Sequence, residues 1–211
     1  VICPQIEAGE TVTSIVHGTN ADLLRQAAKL WIGPDDRLID VTAGNGVFWR
    51  GSGRYPLASD IRPGAWIHLV ADARQLPYRD ASMDVAVFDP PYQPVHGQPG
   101  RTFGVGSTYA LGATGLQTIS DVLELYRAGI TECARVIKPG TGRLLVKCQD
   151  MTYNHRLHLV HLDVLRLMAT AGVDLADMLV LANTSRMPQT TRRQQRAHRA
   201  HSYLLVGVKA E

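Results

Sequence analysis

Arg37-Leu38-Ile39-Asp40-Val41-Thr42-Ala43-Gly44-Asn45-Gly46 carries the pattern from which the rest of the chain can be read. The apolar run over residues 37–42 reads as a short buried strand, and the glycines after it read as a tight turn. Toward the N-terminus, residues 20–31 predict a helix. Thr19 or Asn20 caps it, Asp22 sits in its first turn, and Gly33-Pro34 ends it. Toward the C-terminus, strands are expected at 56–60, 68–72 and 84–89, then a helix at 119–137 stopped by Pro139-Gly140 and a strand at 143–148. A helix at 157–171, ended by Gly172, precedes strand-like runs at 178–182 and 203–208 that can pair antiparallel. Strands alternating with helical crossovers imply an α/β fold whose sheet is mostly parallel, with an antiparallel last strand. The whole of residues 1–211 reads as one domain.

Two stretches break the rhythm. Residues 93–118 contain six glycines and residues 184–200 contain five arginines. Loops of that length in a domain are usually functional or disordered. The chain has 211 residues, 45% hydrophobic and 19% charged, the profile of an ordinary globular protein. Three scattered cysteines, Cys3, Cys133 and Cys148, are too few for a disulfide framework or a zinc cluster and suit a reducing compartment. No apolar run approaches the roughly 20 residues that cross a bilayer. The first residues lack the basic and apolar regions of a signal peptide, so no membrane partner and a cytoplasmic location are expected. A formal charge of +3 decides nothing about nucleic acid, whereas the clustering of arginine near the C-terminus favours it.

The turn from Asp40 to Gly46 lies where a first strand meets its crossover, a place where glycines let the backbone approach a ligand. A dinucleotide fingerprint needs a third glycine where this chain has Trp49, which counts against NAD. Asp60 and Asp72 follow at the ends of the next two expected strands, the edge where ligands bind in open α/β sheets. Either acid alone also reads as a turn residue or a helix cap. A carboxylate closing the second strand can accept two ribose hydroxyls, and one beyond the third can accept an adenine amino group.

Val87-Phe88-Asp89-Pro90-Pro91-Tyr92 is the sharpest feature. Two prolines make the turn rigid and remove two amide donors, leaving carbonyls free to accept. The Asp89 carboxylate and the Pro90 carbonyl can each take one hydrogen of a planar amine, while the Tyr92 ring stacks on it.

On these residues the chain resembles the class I S-adenosylmethionine-dependent methyltransferases, and among them the nucleic-acid amino-methyltransferases with an Asp-Pro-Pro-Tyr motif. The resemblance implies a single-domain Rossmann-like fold with S-adenosyl-L-methionine as cofactor. The first strand and turn, with Asp40, Thr42, Ala43, Gly44 and Gly46, would cradle the methionine part of the cofactor. Asp60 would bind ribose and Asp72 adenine, and Asp89, Pro90, Pro91 and Tyr92 would form the catalytic turn. His17-Gly18-Thr19-Asn20 resembles the cofactor-carboxylate motif of DNA methylases, which makes Thr19 and Asn20 cofactor residues. Val146-Lys147-Cys148-Gln149-Asp150 and the closing His201-Ser202-Tyr203-Leu204-Leu205-Val206 also resemble phage and bacterial DNA methylases. The implied reaction is methylation of adenine-N6 or cytosine-N4 in DNA. Guanine-N2 methylation of RNA and glutamine methylation of a protein are the alternatives. No separate target-recognition region is visible, so the glycine-rich and arginine-rich loops, a homodimer or a separate specificity partner would supply recognition.

Arg186, Arg192, Arg193, Arg196 and Arg199 are the expected nucleic-acid contacts, DNA ahead of RNA, interleaved with glutamine and threonine that can reach base edges. The plainer reading of that run is a solvated surface loop. His155, His158 and His161 recur every three residues, but helical positions so spaced drift around the axis, and no metal is expected there. No Pro-Cys pair supports a cysteine nucleophile for cytosine-C5 chemistry. Gly104-Val105-Gly106-Ser107 lacks the last glycine of a nucleophile elbow, and no GxxxxGK(S/T) loop is present.

Overall fold

Alternation along the central strands decides which helix lies on which face of the sheet. The computed structural model describes residues 6, 9–92, 94, 116, 118–183, 197 and 199–211. Within them the chain runs β1 (Ile15–Gly18), α1 (Asn20–Trp31), β2 (Leu38–Asp40), a 3₁₀ turn (Val47–Trp49), β3 (Leu57–Asp60), β4 (Leu69–Val70), β5 (Val85–Phe88), α2 (Ile119–Val136), β6 (Arg143–Cys148), β7 (Met151–Tyr153), β8 (Arg156–His158), α3 (Val160–Thr170), β9 (Val173–Asn183) and β10 (His201–Lys209). Eight strands form one sheet in the order β1-β9-β10-β6-β5-β2-β3-β4, and β7-β8 is a separate hairpin. Strand β10 is antiparallel to both neighbours, β6 and β9, and the other pairings are parallel. The α/β class, the mostly parallel sheet and the antiparallel last strand follow the expected pattern.

Because side chains along a strand point alternately to the two faces, Val85 and Val87 of β5 pack with Leu23, Leu24 and Ala27 of α1. Ala86 and Phe88 face α2 and α3 instead. Gly129 lets α2 approach β5 closely, since a Cβ there would lie 2.4 Å from the Phe88 ring. Both long helices start with capping boxes, Thr19 with Asp22 and Thr118 with Asp121.

Three expectations are corrected. The expected strand at 37–42 is regular only over Leu38–Asp40, with single backbone hydrogen bonds to β5 continuing at Arg37 and Val41. The expected helical crossovers are missing on one side of the sheet: β2 passes to β3 through the 3₁₀ turn, and no helix joins β3 to β4 or β4 to β5. Gly51-Ser52-Gly53 and Pro63-Gly64 punctuate two of these connections and disfavour helix. The helix expected at 157–171 starts at Val160, because Asn154 and His155 both take positive φ and fold residues 151–158 into the β7-β8 hairpin. His155 therefore sits in a turn, His158 in a strand and His161 in α3, and the three share no helix face. Strand β1, unforeseen, gains its order from parallel pairing with β9 rather than from local pattern.

Candidate functional site

The carboxyl ends of β2, β3 and β5 surround a cavity of about 480 Å³. Its wall includes Asn20, Asp40, Thr42, Ala43, Gly44, Asp60, Asp72, Asp89 and Pro91, which separate stretches of sequence bring together. Gly44 and Gly46 take the left-handed region at φ +51° and +66°. A Cβ on Gly44 would enter open space, whereas one on Gly46 would lie 2.3 Å from the Trp66 ring. Glycine at position 46 is thus demanded by conformation and by contact.

Asp40 ends β2 and is 1% exposed. Its carboxylate accepts from the Thr42 amide at 2.9 Å and the Trp49 indole N–H at 2.6 Å. The tryptophan that displaces the third glycine of a dinucleotide fingerprint therefore secures the acid at the base of the turn. Burial pushes the Asp40 carboxyl up to about 7, against the pull of those two hydrogen bonds, with Asp89 and Asp60 adding like charge. The sign for stability follows. Below roughly pH 4 Asp40 is protonated folded or unfolded. Between there and about 7 the folded chain keeps a proton that the unfolded chain releases. Stability is therefore fully present at the acid end of that window and lost as pH rises through it, by up to about 1.4 kcal/mol per pH unit for one proton. Urea unfolding between pH 5 and 8 should show this decline in the wild-type chain and a flatter profile in Asp40→Asn. Equal slopes in the two would assign the decline elsewhere.

Asp60 closes β3 and braces the turn across from it, accepting from the Gly44 amide at 3.1 Å and the Arg62 amide at 3.0 Å. Asp72 also lines the cavity, but Arg74 holds it from the same loop, with Nε 3.0 Å from both carboxylate oxygens and Nη2 2.6 Å from one. Those hydrogen bonds hold the Asp72 carboxyl below its ordinary range. An incoming amino group can use only the lone pairs that Arg74 leaves.

Thr42 joins the glycine turn to the Asp-Pro-Pro-Tyr turn. Its hydroxyl accepts from the Asp89 amide at 2.8 Å, the last backbone donor before two prolines that have none. Burial raises the Asp89 carboxyl, and the Lys147 ammonium opposes that rise. Pro90 is buried, Pro91 lines the cavity, and Tyr92 is half-buried against the α2 face of the core.

Thr19, expected as a cap of α1 and as a cofactor residue, is the N-cap, its hydroxyl donating to Asp22 at 2.7 Å, and it is not on the cavity wall. Its neighbour Asn20 does reach the cavity wall and accepts from Lys147 Nζ at 3.0 Å. Lys147 is a residue of this region that the motif pattern alone does not single out. Its signal was a charged residue inside the otherwise apolar Leu144-Leu145-Val146-Lys147-Cys148 run. Arg186, Arg192, Arg193 and Arg196, and all of the 93–118 loop except Pro94, Leu116 and Thr118, lie outside the described residues. Arg199 is described, and its carbonyl accepts weakly from Gln149 at 3.4 Å. Strand β9 ends and β10 begins at the edge where β6 ends, as the pairings His201 with Ala182 and Tyr203 with Cys148 show. Cys133 and Cys148 are buried, and burial pushes both thiols well up, away from nucleophilic thiolates. No helix among the described residues is long and apolar enough to cross a membrane.

No family model matches the chain, and no curated protein sequence matches it either. Solved structures do. An S-adenosylmethionine-dependent methyltransferase from Methanosarcina mazei is 13% identical, with 85% of this chain and 95% of that one covered and a TM-score of 0.51. A protein from Pyrococcus horikoshii is 14% identical over 89% of this chain and 87% of its own, also with a TM-score of 0.51. A protein provisionally described as a DNA modification methylase from Thermus thermophilus, solved with S-adenosyl-L-methionine bound, is 20% identical over 66% of this chain and 54% of its own, with a TM-score of 0.46. The chain thus spans about half the length of that methylase. Strand order, the antiparallel β10 and the Methanosarcina likeness agree: this chain has the Rossmann-like fold of S-adenosylmethionine-dependent methyltransferases.

Proposed function

We propose that this chain binds S-adenosyl-L-methionine and transfers its methyl group to an exocyclic amino group of a nucleic-acid base, adenine-N6 or cytosine-N4 of DNA. One observation carries the reading: the Thr42 hydroxyl ties the Asp89 amide to the glycine turn, so both turns open on one cavity. The donor set fits the cofactor. Glycine at 44 leaves open space for close approach, Asp60 offers a strand-end carboxylate for ribose hydroxyls, and the acids around the cavity suit a ligand with two cationic groups. When bound, the cofactor supplies an electrophilic methyl group on a sulfonium.

The chain's own residues then deal with the amine. Asp89 and the Pro90 carbonyl hold its two hydrogens, which draws the nitrogen toward tetrahedral geometry and frees its lone pair. Tyr92 stacks on the base and offsets part of the cost of taking it from its own stack. Catalysis rests mainly on positioning and on the fixed field of the half-buried Asp89. Arg186, Arg192, Arg193, Arg196 and Arg199 contact the phosphates.

The test incubates the chain with radiolabelled cofactor and separate DNA, RNA and protein pools, then identifies the labelled product. N6-methyladenine or N4-methylcytosine in DNA is expected. Label confined to guanine-N2 of RNA or to glutamine would replace this reading with one of its alternatives.

A further inference from the structure

Lys147 is 1% exposed, near the carboxyl end of a central strand. Alternation along β6 sends Leu144, Val146 and Cys148 toward α2 and α3, and Leu145 toward α1. Lys147 shares the parity of Leu145, and it reaches the first residue of α1, where its Nζ donates to Asn20 Oδ1 at 3.0 Å. The same nitrogen lies 5.7 Å from the centre of the Tyr92 ring. Among the described residues it forms no ion pair with a carboxylate.

An ammonium withdrawn from water without a carboxylate against it is costly. A leucine or methionine would suit this strand better, so the lysine calls for a reason outside packing. The groups whose charge couples to Asp89 supply one. Asp40 from β2 is a like charge when ionised. Cys148 from β6 and Tyr126 from α2 have burial-raised pKa values and stay neutral. Among the described residues, Lys147 is the cation acting on Asp89.

We propose that Lys147 is a positioning residue of the transfer site: its ammonium holds the Tyr92 ring from one side and supplies the positive charge that balances Asp89. This rests on the reading of Asp89 and Tyr92 as the amine-holding turn. A carboxylate accepts an amine hydrogen better than a neutral acid does, and a ring fixed by a cation loses less freedom when a base stacks on it. Through Asn20, the same ammonium also links this turn to the start of α1.

The experiment compares the full chain with Lys147→Met by carboxyl 13C NMR, the Asp89 resonance being assigned by its loss in Asp89→Asn. In Lys147→Met the Asp89 midpoint should rise by about one pH unit or more, with no fall in Tm. In single-turnover assays with the methyl-accepting nucleic acid, the acid limb of the rate profile should move up by the same amount, giving about a tenfold loss on its acid side and partial recovery at higher pH. Lys147→Arg, which keeps the charge, should hold the limb near its wild-type place. An Asp89 midpoint unchanged in Lys147→Met would overturn the proposal, and so would a lowered Tm with equal rate loss at every pH, the mark of a merely structural lysine. If the wild-type chain methylates no nucleic acid, the reading of the site falls, while the NMR midpoint still decides whether Lys147 balances Asp89.

Discussion

Asp89→Ala should lose nearly all methyl transfer, on the order of a thousandfold, while cofactor affinity stays close to wild type. Removing one preorganised group from an active site typically costs about 10²–10³ in rate, and here the loss also frees one of the two amine hydrogens. The backbone should survive, because the bond that fixes the turn runs from the Asp89 amide to Thr42 and not from its side chain. Asp89→Asn is the informative companion: it keeps one acceptor oxygen but lacks the charge, and its rate should fall between the two. Tyr92→Phe keeps the ring under Lys147 and should be tolerated, whereas Tyr92→Ala should weaken use of the nucleic acid. Single-turnover rates, with cofactor affinity measured separately by calorimetry, check each outcome. A near wild-type rate in Asp89→Ala would remove the acid from the chemistry.

Asp60→Ala should have the opposite signature, a loss of cofactor affinity that appears with no nucleic acid present. Its carboxylate accepts from the Gly44 and Arg62 amides, and under the proposed reading it also accepts ribose hydroxyls. Truncation leaves two amides without their acceptor and removes charge-assisted bonds to the ligand, together about 1.5–3 kcal/mol or a 10- to 150-fold rise in Kd. Asp60→Asn, retaining one acceptor oxygen for the turn, should lose less. Calorimetric titration with the cofactor gives the answer directly, and unchanged affinity in Asp60→Ala would take this acid out of the site.

The two variants probe different links between sequence and site. Short-range pattern was enough wherever the cause was local. Caps and stop residues placed α1 at 20–31 and α2 close to 119–137, and strand-end acids next to glycines pointed to one edge of the sheet. The Asp-Pro-Pro-Tyr turn was legible because two prolines remove donors whatever surrounds them. The arginine run was legible as composition, with four of its five arginines outside the described residues.

Other features depend on partners far away in the chain and left only faint local traces. Strand β1 exists because β9, more than 150 residues later, offers it a parallel edge. The helix expected from 157 yields its first residues to a hairpin, since pairing of Met151 with His158 outweighs a helical periodicity of no great strength. Thr19 and Asn20 both read as caps of α1, and only geometry selects Thr19, leaving Asn20 to reach the cavity wall. Trp49 argued against NAD by sequence, and the fold alone shows its indole holding Asp40. Lys147 is the sharpest case. One charged residue in an apolar strand signals something by itself, but which groups its ammonium meets depends on α1, β5 and β6 converging at the end of the sheet. The sequence by itself determined the α/β class, the helix limits set by caps and breakers, and the chemical types gathered at the strand ends, because each follows from neighbours a few residues apart. The tertiary structure decided the Thr42–Asp89 link, the Arg74 hold on Asp72 and the burial of Lys147, because hydrogen-bond competition and desolvation are settled only when distant segments pack.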